Sequence, residues 1–142
     1  VPAIPSLAVL PFANLTGSDE NAYMVDGIVN EITSALARVS SFFVISTTST
    51  FTYRGKAVDL AEIGRELGVR YILEGSIQKA GDRLRIFTQL VEARTGRMIW
   101  HDRFDGSADQ RSTTRNNATA MMGNSDRNDN TPILISSLSQ YQ

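Results

Sequence analysis

Three rhythms of hydrophobic and polar positions follow one another along the chain, and each points to a different local structure. Leu7-Ala8-Val9-Leu10-Pro11-Phe12 is an unbroken apolar run stopped by a proline, which lacks the backbone donor a ladder needs. It reads as a buried strand. After a polar loop at residues 14–19, Val25, Ile28, Val29, Ile32, Ala35, Leu36 and Val39 recur at steps of three and four. That spacing gathers them on one stripe of an amphipathic helix over about residues 20–39. Gly27 lies within the helix and costs up to about 1 kcal/mol relative to alanine there. Phe42-Phe43-Val44-Ile45-Ser46 is too short and too β-branched for a helix and reads as a second strand.

A polar stretch from Thr47 to Lys56 follows, and the hydroxyl cluster from Ser46 to Thr52 reads as a loop or an exposed strand edge, with a ligand-binding rim as the alternative. The next helix, about Leu60 to Leu67, carries the sharpest local signals. Asp59 is placed to cap it, Glu62 to complete a capping box, and Val58 and Ile63 occupy the two staple positions. Gly68 can end it in a left-handed conformation, with Val69 packing back on Ile63. Then the period drops to two. Tyr71, Leu73, Gly75 and Ile77 alternate with Ile72, Glu74, Ser76 and Gln78. Beyond Ala80-Gly81-Asp82, Leu84, Ile86, Thr88 and Leu90 alternate with Arg83, Arg85, Phe87, Gln89 and Val91. Beyond Arg94-Thr95-Gly96, Met98, Trp100 and Phe104 continue the pattern. Glycine turns between alternating runs predict hairpins.

The expected fold is therefore α/β, in the order β-α-β-α-β-β-β. It has a mixed sheet, two helices on one face and a C-terminal antiparallel meander. Residues 1–105 form this domain. Residues 106–142 read as a polar tail, largely loop or disordered, with a candidate short edge strand near 133–136 beside Pro132-Ile133-Leu134-Ile135.

Composition narrows the chemistry. A chain of 142 residues has enough length for one core without metal or disulfides. It has no cysteine, which removes thiol chemistry and cysteine-held metal sites. Fourteen basic and fifteen acidic side chains leave a net charge of -1, which offers no field to attract a phosphate backbone, so no nucleic-acid partner is expected. No apolar run approaches the roughly 20 residues of a membrane helix, so this segment is not expected to insert directly. The opening Val1-Pro2-Ala3-Ile4-Pro5 lacks the basic and apolar regions of a signal peptide and reads as a cut in a linker of a longer protein.

The single histidine, His101, is followed by Asp102, and neighbours on a strand face opposite ways, a poor arrangement for a dyad. The hydroxyls from Ser46 to Thr52 have no base at useful spacing and no G-x-S-x-G elbow. Glu62 and Glu66 stand one helical turn apart, but capping and ordinary helix-surface charge account for them. The glycines follow neither G-x-G-x-x-G nor Walker order. No catalytic residue, cofactor site or metal site is expected. The candidate contact surface is the aromatic-basic stretch of Phe51, Tyr53, Arg54 and Lys56, together with Arg83 and Arg85, which share a strand face suited to an acidic partner.

Taken in order, several segments resemble the TolB-type amino-terminal domain family. They are the opening Pro5-Ser6-Leu7-Ala8-Val9-Leu10-Pro11-Phe12, Tyr23-Met24-Val25-Asp26-Gly27-Ile28, and Ser49-Thr50-Phe51-Thr52-Tyr53-Arg54-Gly55-Lys56. The most specific is Glu66-Leu67-Gly68-Val69-Arg70-Tyr71-Ile72-Leu73-Glu74-Gly75-Ser76-Ile77, and Ala93-Arg94-Thr95-Gly96 with Ile99-Trp100 closes the match. After Asp105 the family pattern stops. The resemblance implies an accessory domain of multidomain bacterial proteins, beside a class III adenylate or guanylate cyclase domain or a winged-helix domain. It implies no catalytic residues for this chain.

The expected role is a non-catalytic sensory or protein-interaction module of a bacterial adenylate cyclase-like signalling protein. The alternatives are an accessory part needed for cyclisation by a separate domain, and a small polar ligand-binding domain. Its expected partners are another protein, a second copy in a dimer, or neighbouring domains of the parent chain. Either the cytoplasmic or the periplasmic side is compatible with this reading.

Overall fold

The computed structural model describes residues 5–38 and 43–107, and in it strand β1 (Ser6–Val9) lies within a six-stranded mixed sheet. β1 pairs in parallel with β3 (Phe43–Val44) on one side and β4 (Tyr71–Ala80) on the other. Pro11 interrupts the chain after β1. Leu10 N still donates to Leu73 O at 3.0 Å, and β2 (Ala13–Leu15) then resumes parallel pairing further along β4. β4, β5 (Arg83–Glu92) and β6 (Met98–Ser107) form the antiparallel meander. Its first turn is the two-residue Gly81-Asp82, closed by the Ala80–Arg83 pair, and Gly81 takes the positive φ of 61° that this turn requires.

Helix α1 (Ala22–Ala37) follows a 3-10 turn in which the Ser18 hydroxyl accepts from Glu20 N at 3.2 Å. α2 (Thr47–Thr50) is a single turn that continues into a 3-10 turn at Phe51–Tyr53. α3 (Leu60–Leu67) begins where Asp59 Oδ1 accepts from Ala61 N at 3.2 Å. It ends at Gly68, with φ 69°, where Val69 N donates to Gly64 O at 2.9 Å.

The α/β class, the mixed sheet and the terminal meander are as expected. The placement of the helices differs: α1 and α3 cover opposite faces. Leu7, Val9, Leu73, Ile77, Ile86 and Leu90 pack with Val25, Ile28, Val29, Ile32 and Leu36 of α1. Ala8, Leu10, Ile72 and Ala93 pack with Ile63 of α3 and with Val69. Successive strand residues point to opposite faces, so the unbroken run in β1 is buried because both faces are covered.

Three further differences are local. Part of the expected loop at 14–19 is strand β2, and the expected loop or strand edge after Ser46 is helical. Thr50 is fully buried there and Phe51 packs on the α1 side of the core, so tertiary contact fixes a turn that threonine-rich sequence does not favour. β6 runs two residues past the expected domain end at 105. The edge strand expected near 133–136 lies outside the described residues.

Candidate functional site

The register of the meander lays its side chains in rows. On the α3 side, Ile72, Val91 and Met98 form the first row, and Glu74, Gln89 and His101 the second. Ser76, Phe87 and Arg103 form the third, and Gln78, Arg85 and Asp105 the fourth. α3 packs at the first row, through Ile63 against Ile72 and Ala93. The second and third rows form the floor of an open cleft of about 1190 Å³, which extends past Ala13 and Asn14 to Asp19, Ala22, Val25 and Asp26 at the start of α1. Leu10 and Pro11 wall it on the β1 side, and Val58, Leu60 and Ile63 wall it on the α3 side. Within the floor the Gln89 side-chain amide donates to the Glu74 carboxylate. Phe87 and Met98 add exposed apolar surface.

The rim loop between α2 and α3 is fastened to both helical layers. The Tyr53 hydroxyl donates to the Glu66 carboxylate of α3. Arg54 Nη2 lies 2.8 Å from Asp26 Oδ1 of α1, and its guanidinium sits 5.0 Å from the Phe51 ring centroid. The bond to Glu66 holds the Tyr53 hydroxyl protonated above its usual range, with smaller contributions from burial and from the charges of Glu66 and Glu62.

Of the residues singled out from sequence, Tyr53, Arg54 and Lys56 stand together on the cleft wall. Phe51 instead packs inward against the α1-side core. Arg83 and Arg85 lie at the far end of the same sheet face, outside the cleft, and Arg85 Nε pairs with Asp105 Oδ1 at 3.1 Å. His101 lies on the cleft floor; Asp102, paired with Thr88 and alternating with His101 in direction, also borders the cleft, its Oδ1 accepting from Arg103 N at 2.7 Å. Sequence reasoning missed Glu74, Ser76, Phe87, Gln89, Met98, His101 and Arg103 as one surface. Their signal was the alternation that puts them on a single strand face. Among the described residues no group of three His, Cys, Asp or Glu side chains is placed to hold a metal ion, and no helix is long and apolar enough to cross a membrane.

A mixed sheet with one helical layer complete and the other partial defines an α/β fold shared with known bacterial protein domains. The C-terminal domain of LpoB from Salmonella enterica superposes with a TM-score of 0.58 at 21% identity, covering 75% of this chain and 85% of that one. TolB from Acinetobacter baumannii superposes with a TM-score of 0.57 at 14% identity, covering 98% of this chain and 28% of TolB, so the likeness to TolB holds at the level of fold. Within that fold the chain belongs to the family described as the second domain of HilA/YgeH-like transcriptional regulators, whose model matches residues 3–122. It is also 48% identical over 105 residues to a Rhizobium meliloti (strain 1021) protein named "Putative adenylate cyclase 3". That match takes in 74% of this chain and spans 18% of the length of the relative.

Proposed function

We propose that this domain is a non-catalytic interaction module of a larger bacterial regulatory or signalling protein, and that the cleft is its docking surface. The observation that carries this reading is the pair of uncovered rows, Glu74-Gln89-His101 and Ser76-Phe87-Arg103, set between walls that combine apolar side chains with Tyr53, Arg54 and Lys56. Such a floor offers hydrogen-bond donors and acceptors beside exposed apolar area, the mixture typical of protein contact surfaces. The cleft exceeds the roughly 300–1,000 Å³ of most small-molecule pockets and is open, which favours a polypeptide segment over a small polar ligand. The family, a second domain of transcriptional regulators, and a relative of much greater length support neighbouring domains of the parent chain as the source of that segment. In a parent that carries a cyclase domain, such docking would tune cyclisation performed elsewhere.

The test is a titration of the isotope-labelled domain with the neighbouring domains of its parent, supplied in trans and followed by NMR. Shifts should concentrate at residues 53–60, 74–76, 87–89 and 98–103. Glu74→Lys and Phe87→Ala should weaken binding at least tenfold while leaving the melting temperature nearly unchanged. Shifts confined to the α1 face, or unaltered affinity in both variants, would count against the cleft. Incubation of the chain with magnesium and ATP or GTP should yield no cyclic nucleotide; product formation would remove the non-catalytic reading.

A further inference from the structure

β6 is the last strand of the sheet order, and among the described residues it is paired on one side only, by β5. Among the described residues, the ten of β6 leave on that side a row of backbone donors and acceptors that invites another strand. The side chains along this edge identify the strand that fits. Trp100, Asp102, Phe104 and Gly106 point to the α1 face, and His101, Arg103 and Asp105 to the cleft face.

We infer that the partner of this edge is β6 of a second copy, paired antiparallel about a two-fold axis at Phe104. An axis perpendicular to the sheet keeps like faces together, so it must pass through a residue meeting its own equivalent. Centred on Asp102, Arg103 or Asp105, the pairing sets two like charges against each other. Centred on Phe104, it sets Arg103 of each copy opposite Asp105 of the other, twice, and brings the two Phe104 rings together on the α1 face. That register alone, of these four adjacent ones, has no like charges facing each other at its centre.

The single copy is already arranged for it. Asp105 Oδ1 is held at 3.1 Å by Arg85 Nε on its inner side, while Arg103 of the same copy reaches Oδ2 only at 3.9 Å and remains about half exposed. Phe104 is half-buried at the margin of the α1-side core, with Trp100 at a centroid distance of 6.5 Å, and a second Phe104 would extend that contact. The two sheets would become continuous, with both clefts on one side and near the shared seam because His101 and Arg103 belong to their floors. The surface would then engage a repeated or dimeric partner at two points.

This inference stands apart from the docking role of the cleft, and the test separates them. Size-exclusion chromatography with light scattering on the full 142-residue chain, over a concentration series, should show the mass doubling. Arg103→Glu alone and Asp105→Arg alone should each remain monomeric, because each places like charges across the axis twice. An equimolar mixture of the two should recover the doubled mass, since the mixed pair has opposite charges at both contacts. The combined variant Arg103→Glu/Asp105→Arg should recover it alone. Circular dichroism checks that each single variant is folded, and recovery in the mixture shows it independently. A wild-type chain that stays monomeric throughout, dimers that survive in both single variants, or a mixture that stays monomeric would overturn the inference. Asp105 lies outside the cleft, so failure of the cleft titration with an intact dimer would refute only the docking role.

Discussion

Gly75 is the position where the sheet beneath the cleft tolerates least. A methyl group added there would lie 2.2 Å from Phe87 O on the neighbouring strand and 3.0 and 3.1 Å from two carbons of the Phe12 ring. The carbonyl contact is about 1 Å short of ordinary non-bonded separation. A ring can turn, but a ladder carbonyl cannot leave without opening the hydrogen bonds beside it. Overpacking of this kind costs about 1–3 kcal/mol. A buried ladder bond lost in the adjustment adds about 1–3 kcal/mol. Alanine recovers roughly 0.5–1 kcal/mol of backbone entropy relative to glycine. The net expectation for Gly75→Ala is a loss of about 2–4 kcal/mol, seen as a fall on the order of 10 °C in melting temperature. Urea and thermal denaturation followed by circular dichroism would measure it.

Two comparisons separate the causes. At Gly64 the added methyl would meet Ala93 Cβ at 2.6 Å and Val69 O at 3.2 Å, but α3 can shift slightly and alanine favours helix by about 1 kcal/mol, so the net loss should be smaller. At Gly68 the space is open and the loss of about 1–2 kcal/mol comes from the left-handed backbone alone. A Gly75→Ala protein as stable as its parent, or less affected than Gly68→Ala, would refute the clash.

The Thr50 side chain is buried and its hydroxyl has no partner among the described residues, so the isosteric Thr50→Val should stabilise the fold by about 1 kcal/mol in urea denaturation. A destabilised valine variant would reveal a bond to that hydroxyl. Asp59→Ala removes the acceptor that caps α3 and should lose about 1 kcal/mol, whereas Asp59→Asn keeps most of it. The Tyr53 hydroxyl titrates above its unfolded value of about 10, held chiefly by its bond to Glu66. Its contribution is therefore complete below pH 10 and is lost as pH rises through the folded value, because the unfolded chain releases the proton first. Alkaline denaturation curves of the parent should fall more steeply there than those of Tyr53→Phe, and superimposable curves would contradict the assignment.

Legibility from sequence followed the locality of the cause. α3 begins and ends where Asp59 and Gly68 place it, since its cap, stripe and stop are all adjacent in the chain. The meander was legible because glycine turns separate runs of period two, and the stripe of α1 falls within the expected residues 20–39. β2 was not legible. Ala13-Asn14-Leu15 has no run of buried positions, and it is a strand only because β4 extends beyond the end of β1 and offers an unfilled flank. α2 was missed for a related reason, as serine and threonine favour no helix and the turn depends on where Thr50 and Phe51 are buried.

The cleft was hidden by a default that is usually correct. A strand with polar residues on one face is normally a strand wetted on that face. What changes the meaning of Glu74, Ser76, Gln89 and Arg103 is a mismatch of lengths. The eight residues of α3 span about 12 Å of axis, whereas the ten residues of β4 extend for roughly 33 Å. α3 can therefore shade only about a third of the strands it packs on, and it does so at the Ile72 end. α1, with sixteen residues, reaches about twice as far and seals the other face from β1 to the margin of β6. The short helix thus turns the remainder of one face into a floor with a wall at one end, and the loop fastened by Tyr53 and Arg54 makes that wall continuous. Phe87 and Met98 stay exposed on that floor although the same strands bury every large apolar side chain on the α1 side at least halfway. If the cleft is the docking surface proposed above, both would be covered by the bound segment, and the titration of Phe87→Ala reads that out.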